Sequence, residues 1–143
     1  MNHWDGKPQP PFNDHLGINI EAWREGYVKI SAEVLPHFQN SQGAPHGGFI
    51  MSLADIAASF PGVYCPHPDR RRFASTLSLN TSFLGVAKTT IVYAEGKVSN
   101  SGRKIFYSQV DIYDGENNPV ASCQGVFRYR GGSEHLDGVP IES

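Results

Sequence analysis

Between Asn40 and Asp55 the chain reads NSQGAPHGGFIMSLAD, a stretch that combines an amide side chain, an imidazole, paired glycines and a carboxylate. His46-Gly47-Gly48 opens a run in which Ile50, Leu53, Ala54, Ala57 and Ala58 keep the i, i+3, i+4 spacing of an amphipathic helix. The first amides of such a helix have no intrahelical acceptor and lie at the positive end of its dipole. They therefore suit a carbonyl oxygen that gains negative charge during acyl transfer. Gly47 and Gly48 have no Cβ to hold a substrate away from those amides. Asp55 is the only charged residue from Gly47 to Phe60. A carboxylate among small and apolar neighbours is hydrogen-bonded, shifted in pKa or used in chemistry, and it can add to a carbonyl or take a proton from water.

The spacing also bears on architecture. Asp55 lies eight residues after Gly47, and at about 1.5 Å per residue the two stand about 12 Å apart on one helix. A reacting atom cannot lie about 3 Å from both. If both serve one substrate, the acid comes from a second copy of the chain in a symmetric dimer. Each residue has an ordinary structural use as well: Asn40 can cap a turn, Asp55 can bond Ser52 or Ser59, and His46 can be a plain loop histidine.

The elements that must hold these residues are legible from hydrophobic period. Leu16, Ile18 and Ile20 alternate, a turn falls near Glu25-Gly26, and Val28, Ile30, Ala32 and Val34 alternate again, which predicts a hairpin. The helix is expected from Gly47 to Phe60, stopped by Pro61-Gly62. Period two returns in Leu77, Leu79, Thr81 and Phe83, then around 91–98, 105–113 and 119–130, with a turn at Asp114-Gly115 and Asn117-Asn118-Pro119. One substantial helix leaves no crossovers for a parallel sheet, so the fold class is α+β, an antiparallel sheet with the helix on one face. Residues 1–15 and 131–143 read as terminal arms around a single domain at 16–130.

Composition narrows the function. A chain of 143 residues predicts one domain, and 12 Lys and Arg against 14 Asp and Glu give a net charge of −2, with no field for nucleic acid or an anionic membrane. Cys65 and Cys123 form no CxxC pair, and the six histidines show no HxxxH or HExxH spacing, so no disulfide framework or metal site is expected. The start of the chain lacks a secretory pattern and no apolar run approaches about 20 residues, which points to the cytoplasm. Arg70-Arg71-Arg72 and Arg103-Lys104 are basic runs of the kind that usually face solvent, although guanidinium forks also suit phosphates.

The asparagine six residues before a His-Gly-Gly, the acid nine residues after that histidine, and four following strands resemble the hotdog-fold acyl-CoA thioesterases, above all their PaaI-like branch. The resemblance spans residues 16–130. It implies a curved antiparallel sheet of five to six strands wrapped around one long central helix. It also implies a homo-oligomer, a dimer or a tetramer, whose dimers join their sheets edge to edge and hydrolyse aryl- or medium-chain acyl-CoA at the interface. No metal or separate cofactor is implied, coenzyme A entering as part of the substrate. By position, Gly47 would supply the oxyanion-holding amide, Asp55 would be nucleophile or general base, Asn40 and His46 would shape the carbonyl end, and Thr76 would orient water. Arg70, Arg71, Arg72, Arg103 and Lys104 would be the coenzyme A phosphate contacts. Pro45, directly before His46, departs from that pattern and restricts Ala44 to extended conformations. Two other functions stay open: a hotdog enoyl-CoA hydratase or dehydratase, and a non-catalytic acyl-CoA-binding protein.

Overall fold

The computed structural model describes residues 9–141. Its first element is a helix, α1 (Pro11–Leu16), where the sequence reading expects an arm. Proline suits the first helical position because its missing N–H would have no acceptor there, and Gly17, at φ 70°, closes the C-terminus in the left-handed conformation. Leu16 anchors α1 in the core. Residues 1–8 of the expected arm lie outside the described residues.

The hairpin follows as β1 (Asn19–Arg24) and β2 (Tyr27–Glu33), turned at Gly26 with φ 79°. Val28, Ile30 and Ala32 all point inward and are buried, as their alternation requires. The central helix α2 (Gly47–Ser59) buries the whole predicted stripe of Ile50, Leu53, Ala54, Ala57 and Ala58. The α-helix ends at Ser59, just before Pro61-Gly62 as expected, and the chain tightens into a 3-10 turn over Phe60–Val63, which the fixed φ of Pro61 accommodates near its start.

Five further strands of the second half are β3 (Arg70–Arg71), β4 (Phe73–Phe83), β5 (Ile91–Ser101), β6 (Ile105–Asp114) and β7 (Pro119–Arg130). The main sheet has six antiparallel strands in the order β1-β2-β5-β6-β7-β4, with α2 against one face. This is the expected α+β hotdog architecture. Its sheet makes room for the helix with glycine: Gly96 of β5 lies so near that a Cβ there would stand 1.8 Å from the Ala57 carbonyl oxygen.

Strand β4 departs from strict alternation. Its pairing with β7 shifts between Thr76 and Ser78, so Leu77 bulges out and is 55% exposed. The bulge brings Thr76 onto the same face as Leu79, Thr81 and Phe83, the face that carries α2. The tail is also not a loose arm. A short strand β8 (Val139–Pro140) pairs with β3, Arg70 donates to the Asp137 and Gly138 carbonyls, and Arg72 donates to those of Ser133, Tyr64 and Glu134. Residues 142–143 lie outside the described residues.

Candidate active site

The loop before α2 is built on its own polar groups. Asn40 Oδ1 accepts from the Gln42 and Ala44 amides at 2.9 and 3.1 Å, and the Asn40 amide donates to Ala44 O at 2.7 Å. His46, extended at φ −64° and ψ 139°, caps the helix by accepting the Gly48 N–H on Nδ1 at 2.8 Å. The ring therefore presents Nδ1 unprotonated to its own helix. The Gly47 N–H has no acceptor among the described residues. The Phe83 ring from the end of β4 lies 3.5 Å from where a Gly47 Cβ would be, so it walls the approach to that amide. Asn40 and His46 thus shape this end of α2, and both are exposed.

Asp55 is half-buried two turns further along. Its Oδ1 accepts from Thr76 Oγ1 at 2.9 Å, a bond that exists because of the β4 bulge. Ser52 and Ser59, the alternative partners, donate instead to the carbonyls of Gly48 and Ile56. The second carboxylate oxygen takes no donor among the described residues. Asp55 and Thr76 open into a cleft of about 390 Å³ whose apolar walls include Phe12, Ile56, Phe60, Val63 and Phe73. Burial pushes the nearby Cys123 thiol up, and the Asp55 charge adds to the effect, so this thiol stays protonated and is no rival nucleophile. Replacing Thr76 by Val is expected to lower kcat about tenfold with little change in KM, whereas Ser should hold most of the rate. Steady-state kinetics of the two variants check this.

The basic candidates divide. Arg72 is only 8% exposed, lies 4.8 Å from the Tyr129 ring centre and has its donors on backbone carbonyls. Arg70 likewise donates to the Asp137 and Gly138 carbonyls, so both guanidinium groups clasp the tail. Arg103 and Lys104 are exposed in the turn between β5 and β6 and do not line the Asp55 cleft. Phe12 and Asn13, both in the supposed arm, were legible only as the residues that follow a Pro-Pro pair and precede Gly17; both line the Asp55 cleft.

Residues 42–121, more than half the chain, match the family model described as Thioesterase superfamily. A stretch of 103 residues is 30% identical to a Haemophilus influenzae protein, covering 72% of this chain and 73% of that one. The chain belongs to the thioesterase superfamily. Another relative in sequence is the acyl-coenzyme A thioesterase PaaI of Escherichia coli, 26% identical over 118 residues, 82% of this chain and 81% of the relative. The crystal structure of a Haemophilus influenzae thioesterase superposes with a TM-score of 0.74 at 26% identity, covering 82% of this chain and 81% of that chain. That of a Streptococcus pneumoniae thioesterase with coenzyme A shares the fold, with a TM-score of 0.67 at 23% identity over 80% of this chain and 86% of the other. This thioesterase is thus an enzyme of the thioester-hydrolase class. Its matched segment holds His46, Gly47, Asp55 and Thr76, while Phe12 and α1 lie outside it.

Proposed function

We propose that the protein hydrolyses acyl-CoA thioesters in the cytoplasm, at sites shared between two protomers. The observation that carries the reading is the pairing of an unoccupied Gly47 N–H with an Asp55 carboxylate steadied by Thr76, two groups about two turns apart on one helix that cannot meet within a chain. In the shared site the thioester carbonyl lies against the Gly47 N–H of one protomer. The partner's Asp55 adds to the carbonyl carbon or removes a proton from the attacking water. Either way the tetrahedral oxyanion forms against the Gly47 amide, and its collapse expels the coenzyme A thiolate; where Asp55 itself has added, water then hydrolyses the resulting mixed anhydride, which releases the acid and restores the carboxylate. No metal or further cofactor is needed for these steps.

The sheet edges support the dimer. β1 ends the sheet with six residues, a register shift between Ile20 and Ala22, and charged Glu21 and Arg24, features that discourage pairing. β4, at the other edge, is 11 residues long, pairs with β7 alone among the described residues, and exposes Phe73, Leu77 and Phe83. A second β4 would bury those side chains and bring a partner's α2 alongside.

The apolar cleft at Asp55 supports an aryl- or medium-chain acyl group, with Phe12 and Phe73, 55% and 45% exposed, as aromatic walls. Thiol release from a panel of acyl-CoAs tests the reading, and no turnover of any member overturns it. Within that panel, Phe12→Ala is expected to lower kcat/KM for aryl thioesters about tenfold while leaving acetyl-CoA turnover unchanged.

A further inference from the structure

We infer that Asn13 orients the water consumed in thioester hydrolysis, a role that rests on the acyl-CoA reading above and is supplied by α1, outside the segment that matches the thioesterase family. Asn13 and Leu16, three residues apart, share the face of α1 that turns to the body of the protein, and both are buried. The backbone of Asn13 is held on both sides: its amide donates to the Pro10 carbonyl at 2.9 Å, and its carbonyl accepts from the Ile18 amide at 3.2 Å. The side-chain carboxamide, by contrast, bonds no described residue, although Asn13 is only 5% exposed. Buried amides are as a rule paired, so one left over at the wall of a cleft marks a place for something that comes and goes in the reaction.

That cleft is the one that holds Asp55 and Thr76. Its other polar side chains are committed. Ser52 and Ser59 donate to carbonyls of their own helix, Arg72 donates to the carbonyls of Tyr64, Ser133 and Glu134, and Thr76 donates to Asp55 Oδ1. What these walls leave open among the described residues is the Asn13 carboxamide and the second carboxylate oxygen of Asp55. A water between the two gives one hydrogen to the carboxylate and the other to Asn13 Oδ1, and the two bonds together aim an oxygen lone pair at the acyl carbon. The same water is consumed whether Asp55 acts as base or has first formed the anhydride. Its oxygen makes the new C–O bond, the coenzyme A thiolate or the Asp55 carboxylate leaves with the electron pair of the bond that breaks, and one of its protons ends on the thiolate.

Methanol tests the contact, because it has one O–H hydrogen where water has two: it can serve Asp55 but has none left for Asn13. With the two best acyl-CoAs of the panel, one aryl and one alkyl, the measurement is the ratio of methyl ester to acid formed at a fixed methanol concentration, with the enzyme-free rates subtracted. Asn13→Ala should raise this ratio about tenfold on both thioesters, since only the attack of water loses a bond. Asn13→Leu fills the space without an amide and should raise it equally, which separates the lost bond from new room for the methyl group. The ratio belongs to the molecules that turn over, so a variant that folds poorly still reports it. Asp14→Ala, on the exposed side of α1, should keep the wild-type ratio. An unchanged ratio in the two Asn13 variants, an equal rise in Asp14→Ala, or a rise confined to one acyl group overturns the inference and leaves the hydrolase reading standing. No acid from any acyl-CoA with the wild type overturns that reading, and this inference with it.

Discussion

Asp55→Asn is expected to lower kcat on the best acyl-CoA by about 10³-fold while the protein keeps its fold and its affinity for substrate. The amide is the same size and can still accept the Thr76 hydroxyl bond on its oxygen, so the local geometry survives. What it loses is the negative charge that either role requires, since an amide neither adds to a carbonyl nor takes a proton from water at neutral pH. A drop below about tenfold would remove Asp55 from the chemistry.

The same variant tests whether the site is shared. Gly47→Pro deletes one N–H at the first helical position, where proline is well tolerated, and the extended His46 before it is already in the conformation a following proline demands. Each variant alone should be nearly inactive. Subunits of the two, mixed and allowed to reassociate, form one intact and one doubly damaged site in every mixed dimer. With random pairing half the dimers are mixed, so about a quarter of wild-type activity should return. If each site is instead built within one chain, mixing restores nothing.

The capping role of His46 bears on the competing chemistry. An enoyl-CoA hydratase needs an imidazole and a carboxylate poised around one proton transfer, and His46 Nδ1 is engaged with Gly48 of its own helix. An exposed loop imidazole turned to its own backbone suits positioning better than shuttling.

What the sequence made legible follows from how locally each feature is encoded. The stripe from Ile50 to Ala58 repeats over about two and a half turns, so α2 stood out, and Asp55 stood out against it. α1 spans six residues, too few for any period to register, and only Pro11 and Gly17 mark its ends. Arg72 carries the same letter whether it meets solvent, a phosphate or a buried carbonyl. Its neighbours Ser133 and Glu134 lie more than 60 positions away, so its role waits on tertiary contacts. Thr76 was reached only through the family resemblance, since the alternation was read from Leu77 onward, and the bulge that aims it at Asp55 leaves no mark in that period.

Gly96 holds the helix and sheet together, and its substitution should have the largest effect on folding. In YAEGKV it interrupts an alternating strand, the usual sign that another backbone comes close. Here that backbone is α2: an added Cβ would lie 1.8 Å from Ala57 O and 2.8 Å from its carbonyl carbon, with Pro61 Cγ at 3.3 Å. No rotamer change relieves a clash between Cβ and main chain, so the helix must lift off β5. That movement would loosen Ala54, Ala57 and Ala58, all fully buried, and tilt Asp55 away from Thr76. Gly96→Ala should therefore cost on the order of 4 kcal/mol, a large part of the stability of an ordinary domain, and lower Tm by about 10 °C or more. Gly102→Ala is the matched control, because its Cβ would meet only Ile105 O at 3.6 Å, and its Tm should stay within about 2 °C of the wild type. Equal melting of the two variants would mean that α2 lies further from the sheet than a bare glycine requires.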